Sequence, residues 1–132
     1  MAVDLAMPIL VVEDSRTMGQ IVNRVLTQIG FRDVENVFDG HAALAKLHTK
    51  EFGLVISDWN MQPMSGHMLL LEIRAHPLLK AIPFIVLTAE ATLAAATAAK
   101  NAGANGYIVK PFTGTVLKSK INSILGSDAE SS

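Results

Sequence analysis

Five residues of this chain carry groups suited to handling charged oxygen: Glu13, Asp14, Asp58, Thr88 and Lys110. They stand at the ends of short apolar runs: Glu13 and Asp14 after the first, Asp58 after the third, Thr88 after the fourth and Lys110 after the fifth. Carboxylates gathered in one place repel one another and raise each other's pKa unless a cation joins them. Oxygen-only donors suit Mg2+, which takes a few carboxylates and keeps several waters. An ammonium and a hydroxyl beside such an ion form a clamp for a phosphoryl group. The ion and Lys110 would neutralise the transferring oxygens, and Thr88 would donate a hydrogen bond. One carboxylate can then act as nucleophile and become an aspartyl phosphate. Asp58 is the candidate, because it stands alone at its strand end while Glu13 and Asp14 form a pair suited to holding metal. Singly, each of these residues reads as a helix cap or a solvated charge; the signal lies in four strand ends delivering them together.

That convergence requires particular elements. The apolar runs Ile9–Val12, Val34–Val37, Leu54–Ile56, Phe84–Leu87 and Tyr107–Val109 are too short for helices, and most are rich in Val and Ile. Runs without polar alternation fit strands covered on both faces, as in a parallel sheet. The segments between them have helical period. Met18, Ile21, Val22, Val25, Leu26 and Ile29 form one stripe, with Ser15 as a cap and Gly30 as the stop. Asp39 caps a second helix carrying Ala43, Leu44 and Leu47. Met68 to Arg74 forms a third, Thr92 to Ala102 a fourth ended by Gly103, and Thr113 opens a fifth with Val116, Leu117, Ile121, Ile124 and Leu125 on one face. Strand–helix repeated five times predicts an α/β fold, a five-stranded parallel sheet with helices on both faces. In the common order 2-1-3-4-5 the first and third strands are neighbours, and ligands bind outside the carboxyl ends of the strands.

Composition excludes several classes. The 132 residues suit a single domain, with its core over about 8–125 and a polar tail over 127–132. Half the residues are hydrophobic, which excludes a disordered chain. Eleven basic against twelve acidic residues argue against a nucleic-acid groove. No apolar run reaches the length of a membrane span, and no basic-then-apolar leader opens the chain, so a cytoplasmic protein is expected. The absence of cysteine removes disulfides and thiolate chemistry.

The segments Val11-Val12-Glu13-Asp14, Ser57-Asp58-Trp59-Asn60-Met61, Leu87-Thr88-Ala89-Glu90 and Gly106-Tyr107-Ile108-Val109-Lys110-Pro111-Phe112 resemble the receiver domains of bacterial response regulators, and among them the single-domain chemotaxis type with its flavodoxin-like fold. The resemblance spans about 8–125. It implies that Asp58 accepts a phosphoryl group from a histidine kinase. Asp14, Asp58 and the backbone carbonyl of Asn60 would ligate Mg2+, with Glu13 acting through water. Lys110 would pair with the phosphoryl oxygens, Thr88 would swing toward them, and Tyr107 would move inward behind it. That motion would alter a docking surface on the fourth helix, fifth strand and fifth helix. Asn60 and Glu90 would flank the path of attacking water and set how long the phosphoryl group persists. The Lys110–Pro111 bond is expected to be cis. The implied protein is a monomeric signalling switch without an external substrate, contacting a kinase and a downstream protein such as a flagellar motor switch component or a phosphatase, with no nucleic acid and no membrane.

Two departures accompany the resemblance. Gln62 stands where these regulators usually carry proline, and Pro63 follows, directing Gln62 toward extended backbone. The fourth helix is rich in Ala and Thr, with Thr92, Leu93 and Thr97 where such regulators often carry charge, so the docking surface is expected to be less polar, with Ala95 and Ala99 contributing apolar contact. Two alternatives stand beside the chemotaxis reading: a phosphate sink that drains a shared kinase, and a Mg2+-dependent aspartyl-phosphate phosphatase. The latter needs a second acid two residues after the nucleophile, where Asn60 stands. His41, His48, His67 and His76 lack metal spacing and read as solvated. Met18 and Met68 read as core filler, Met61 and Met64 as packing or site lining, and Trp59 as partial cover for the site.

Overall fold

The structure, a computed structural model, describes residues 3–126; the polar tail expected over 127–132 lies outside them. Ten elements alternate: β1 Ile9–Val12, α1 Arg16–Ile29, β2 Val34–Val37, α2 Gly40–Leu47, β3 Leu54–Ser57, α3 Gly66–Ala75, β4 Phe84–Thr88, α4 Leu93–Ala102, β5 Gly106–Val109 and α5 Gly114–Leu125. All strand pairs are parallel and the sheet order is β2-β1-β3-β4-β5, as expected.

Side chains alternate between two cores. Leu10, Val12, Val55, Phe84 and Val86 face α2, α3 and α4, where they meet Ala43, Leu69, Leu70, Ile73 and Ala99. Ile9, Val11, Leu54, Ile56, Ile85 and Leu87 face α1 and α5, where they meet Val22, Leu26, Leu117 and Ile121. The period-2 geometry of a strand sends neighbouring residues to opposite layers, so the central strands are apolar throughout except at their carboxyl ends, Ser57 of β3 and Thr88 of β4. β1, β3 and β4 are buried throughout, whereas the edge strands β2 and β5 are only partly covered.

Each helix is capped by a side-chain oxygen: Ser15, Asp39, Ser65, Thr92 and Thr113 accept from the amides of Met18, Ala42, Met68, Ala95 and Val116. The Ser65 cap starts α3 two residues before the Met68 expected from the sequence. Leu69, Leu70 and Ile73 form the inward face of this helix, and Met68, beside that face, is 53% exposed instead of filling the core. On α1 the buried stripe is narrower than its apolar pattern, and Ile21 lies at its solvent margin. The short strands end at one edge of the sheet, which is where the chemistry-bearing residues gather.

Candidate functional site

At the carboxyl edge, β1 hands on to Glu13 and Asp14 and β3 to Asp58. Carboxylate oxygens of these three residues all lie within 4.8 Å of one another. Lys110, after β5, reaches across the edge. Its Nζ donates to Glu13 Oε1 at 2.6 Å and to Asp58 Oδ2 at 3.2 Å. The cluster therefore holds one ammonium against three carboxylates, a donor set of oxygens with net negative charge. Such a set fits a hard divalent cation of the Mg2+ kind.

The electrostatics follow from burial. Glu13 is buried, and loss of solvent raises its pKa above the ordinary glutamate value; the hydrogen bonds from Lys110 and from the Ser15 amide oppose that rise without cancelling it. Burial works against the Lys110 charge, yet Glu13 and Asp58 outweigh it and its pKa is raised. The ammonium is thus held in its charged form between two acids.

Asp58 is pinned from its own chain. Oδ1 accepts the Trp59 amide at 2.6 Å and the Asn60 amide at 3.3 Å, and its carbonyl accepts the Ser57 hydroxyl at 2.8 Å. The loop after it returns tightly, with the Gly66 amide donating to the Trp59 carbonyl at 2.8 Å. Both Gln62–Pro63 and Lys110–Pro111 are cis, the second as expected.

Thr88, Glu90 and Tyr107 form an adjoining group. The Glu90 amide donates to Thr88 Oγ1 at 3.3 Å, and the Tyr107 hydroxyl donates to the Glu90 carbonyl at 2.5 Å. The backbone amide of Lys110 donates to the Thr88 carbonyl at 2.8 Å, joining this group to the acidic cluster. Burial, then the negative charges of Glu90 and Asp58, raise the Tyr107 pKa, so its phenol remains a donor.

The edge thus gathers Glu13, Asp14, Asp58 and Lys110 directly, with Asn60 contributing its amide and Thr88, Glu90 and Tyr107 linked behind them. Other expectations are corrected. Ala95 and Ala99 are buried, because positions four apart on α4 point into the core, whereas Leu93, also named for that surface, is 83% exposed. Met61 and Met64 pack, as one of their two readings expects: with Trp59 they are buried in the core that meets α2, α3 and α4. His67 is partly buried and stacks on Trp59 instead of standing free in solvent. Ser57, within the Ser57–Met61 segment, and Ser65 and Gly66, outside the quoted segments, support the Asp58 loop. Of these, Ser65 was readable as a cap followed by an apolar helical pattern.

A sheet of this order with this acidic edge defines a class, and comparison with known proteins agrees. The family model described as the response regulator receiver domain matches residues 9–122, and the chain belongs to that family. Within it, the chain is 44% identical over 118 residues to the chemotaxis protein CheY of Pseudomonas aeruginosa, covering 89% of this chain and 95% of that one. The structure of Vibrio cholerae CheY4 crystallised at low pH superposes with a TM-score of 0.84 at 33% identity, covering 91% of this chain and 99% of that one. The receiver domain of the sensor histidine kinase PA1611 from Pseudomonas aeruginosa, solved with a magnesium ion coordinated in its active-site cleft, superposes at 0.83 with 28% identity, covering 92% and 98%. The chain is a CheY-type receiver. Among the described residues, no helix is long and apolar enough to cross a membrane.

Proposed function

We propose that this receiver is a phosphorylation-controlled switch in which Asp58 accepts a phosphoryl group from a phosphohistidine of a cytoplasmic kinase. The observation that carries the reading is the Lys110 ammonium held between Glu13 and Asp58 beside Asp14. One oxygen of the Asp58 carboxylate attacks phosphorus. The P–N bond to the kinase histidine breaks as the P–O bond forms, and the leaving imidazole nitrogen keeps the electron pair and takes up a proton. Asp14, Asp58 and the Asn60 carbonyl would hold Mg2+, with Glu13 acting through water. When bound, the ion supplies positive charge against the phosphoryl oxygens.

The chain's own groups do the rest. The amides of Trp59 and Asn60 orient the carboxylate. Lys110 is already charged at the cluster and pairs with the new oxygens. Thr88 Oγ1 exchanges its contact with the Glu90 amide for a phosphoryl oxygen, and Tyr107, bonded to the same Glu90, is released to follow. Asn60 and Glu90 border the approach of hydrolytic water. The output is a change in the face formed by α4, β5 and α5, where Leu93, Val109 and Val116 are exposed. The likeness to CheY supports a partner in chemotaxis signalling, such as a motor switch component or a phosphatase. No external substrate is turned over.

The test uses Trp59, the only tryptophan. Its fluorescence should change on Mg2+ addition and change further, saturably, with beryllium fluoride. The second step should vanish in Asp58→Asn. A second step that persists in that variant would refute Asp58 as the acceptor.

A further inference from the structure

The imidazole of His67 lies nearly flat on the indole of Trp59, with ring centroids 4.6 Å apart and planes inclined by 18°. Neither residue belongs to the cluster that handles charge, yet the contact ends one bond from it. Trp59 is the residue whose amide donates to Asp58 Oδ1 at 2.6 Å, the shortest hydrogen bond this carboxylate accepts. Its carbonyl accepts the Gly66 amide at 2.8 Å, and Gly66 directly precedes His67. The chain thus folds back so that Asp58–Trp59 and Gly66–His67 lie side by side. They are joined once through backbone and once through stacked rings.

We infer that His67 is a positioning residue for Asp58. The indole and the amide of Trp59 share one Cα, so a ring clamped in its seat restrains the backbone that aims the N–H at Oδ1. Packed core closes one side of the indole, and the His67 ring, on the first turn of α3, closes another. With Oδ1 held by two amides, Oδ2 stays turned toward Lys110. A nucleophile gains rate from being held in its reactive geometry by groups that are themselves fixed. His67 touches no reacting atom; it acts through Trp59. This inference rests on the reading of Asp58 as phosphoacceptor.

The test compares wild type with His67→Leu, which keeps apolar bulk without a ring, and His67→Phe, which restores a stacking ring. The probe is acetyl phosphate with saturating Mg2+: a P–O bond forms at Asp58, the P–O bond to the acetyl group breaks, and acetate leaves. The initial rate of phosphoryl uptake, the Trp59 emission maximum and the urea midpoint are read for each. An aromatic pair of this geometry translates to a slowing of about 3- to 10-fold in His67→Leu, with a shifted emission maximum. His67→Phe should recover most of the rate and the wild-type emission. Equal rates in all three, or a Phe variant as slow as the Leu variant at matched urea midpoints, would overturn the role of His67 alone. A wild-type chain that takes up no phosphoryl group would overturn the Asp58 reading and this inference with it.

Discussion

Gly66 stands so close to Asp58 that a Cβ built on it would lie 1.9 Å from the Asp58 carbonyl oxygen. The obstacle is backbone, which cannot rotate away as a side-chain tip can. The loop that carries the acceptor is therefore closed by a residue without a side chain at the first position of α3.

Gly66→Ala should accordingly destabilise the fold by about 1–3 kcal/mol, in the range of overpacking substitutions, and should shift Trp59 emission. Gly114→Ala is the contrast. There a Cβ would meet only Val25 Cγ1 at 3.6 Å, an ordinary contact on a helix, and the exchange should be neutral or stabilise by up to about 1 kcal/mol. Urea unfolding of the two variants checks both; a Gly66→Ala as stable as wild type would contradict the close approach.

Buried Glu13 predicts a pH dependence with a definite sign. Its native pKa is raised, chiefly by burial. Just above the ordinary glutamate range the native chain then binds more protons than the unfolded chain, so stability from this group falls as pH rises through that window. In EDTA, subtracting the Glu13→Gln urea profile from the wild-type profile should leave a difference that declines from mildly acidic toward neutral pH. A difference that climbs with pH would contradict it.

Three carboxylates against one ammonium predict stabilisation by a divalent cation. Mg2+ at a hundred times its dissociation constant should stabilise the chain by about 2.7 kcal/mol through mass action, read as a rise in melting temperature. Asp14→Asn should remove most of the rise. A full rise in that variant would place the ion elsewhere.

Much of this was legible in residue types. The bounds of β1 and β2 coincide with their apolar runs, and Ser15, Asp39, Thr92 and Thr113 announce their helices because a short side-chain oxygen before a periodic segment satisfies amides that nothing else can reach. Three strands run one residue further than their apolar runs, at Ser57, Thr88 and Gly106. Backbone pairing continues there, with Val12 opposite Ser57, Thr88 opposite Val109 and Ile85 opposite Gly106, although the side chains are polar or absent. At the site, Glu13, Asp14, Asp58 and Lys110 were visible as strand-end residues, since a parallel sheet brings all such ends to one edge. The stack of His67 on Trp59 was not, because it depends on the return of the chain at Gly66. Nor was the inward turn of Ala95 and Ala99: alanine suits both faces of a helix, so its pattern does not say which face is buried.

The central claim is that Asp58 becomes phosphorylated, and intact-mass measurement tests it most directly. Wild type incubated with acetyl phosphate and Mg2+ should gain the mass of one phosphoryl group, with none gained in EDTA and none in Asp58→Asn. A gain of that mass by Asp58→Asn, or no gain by wild type with Mg2+ present, would contradict the account.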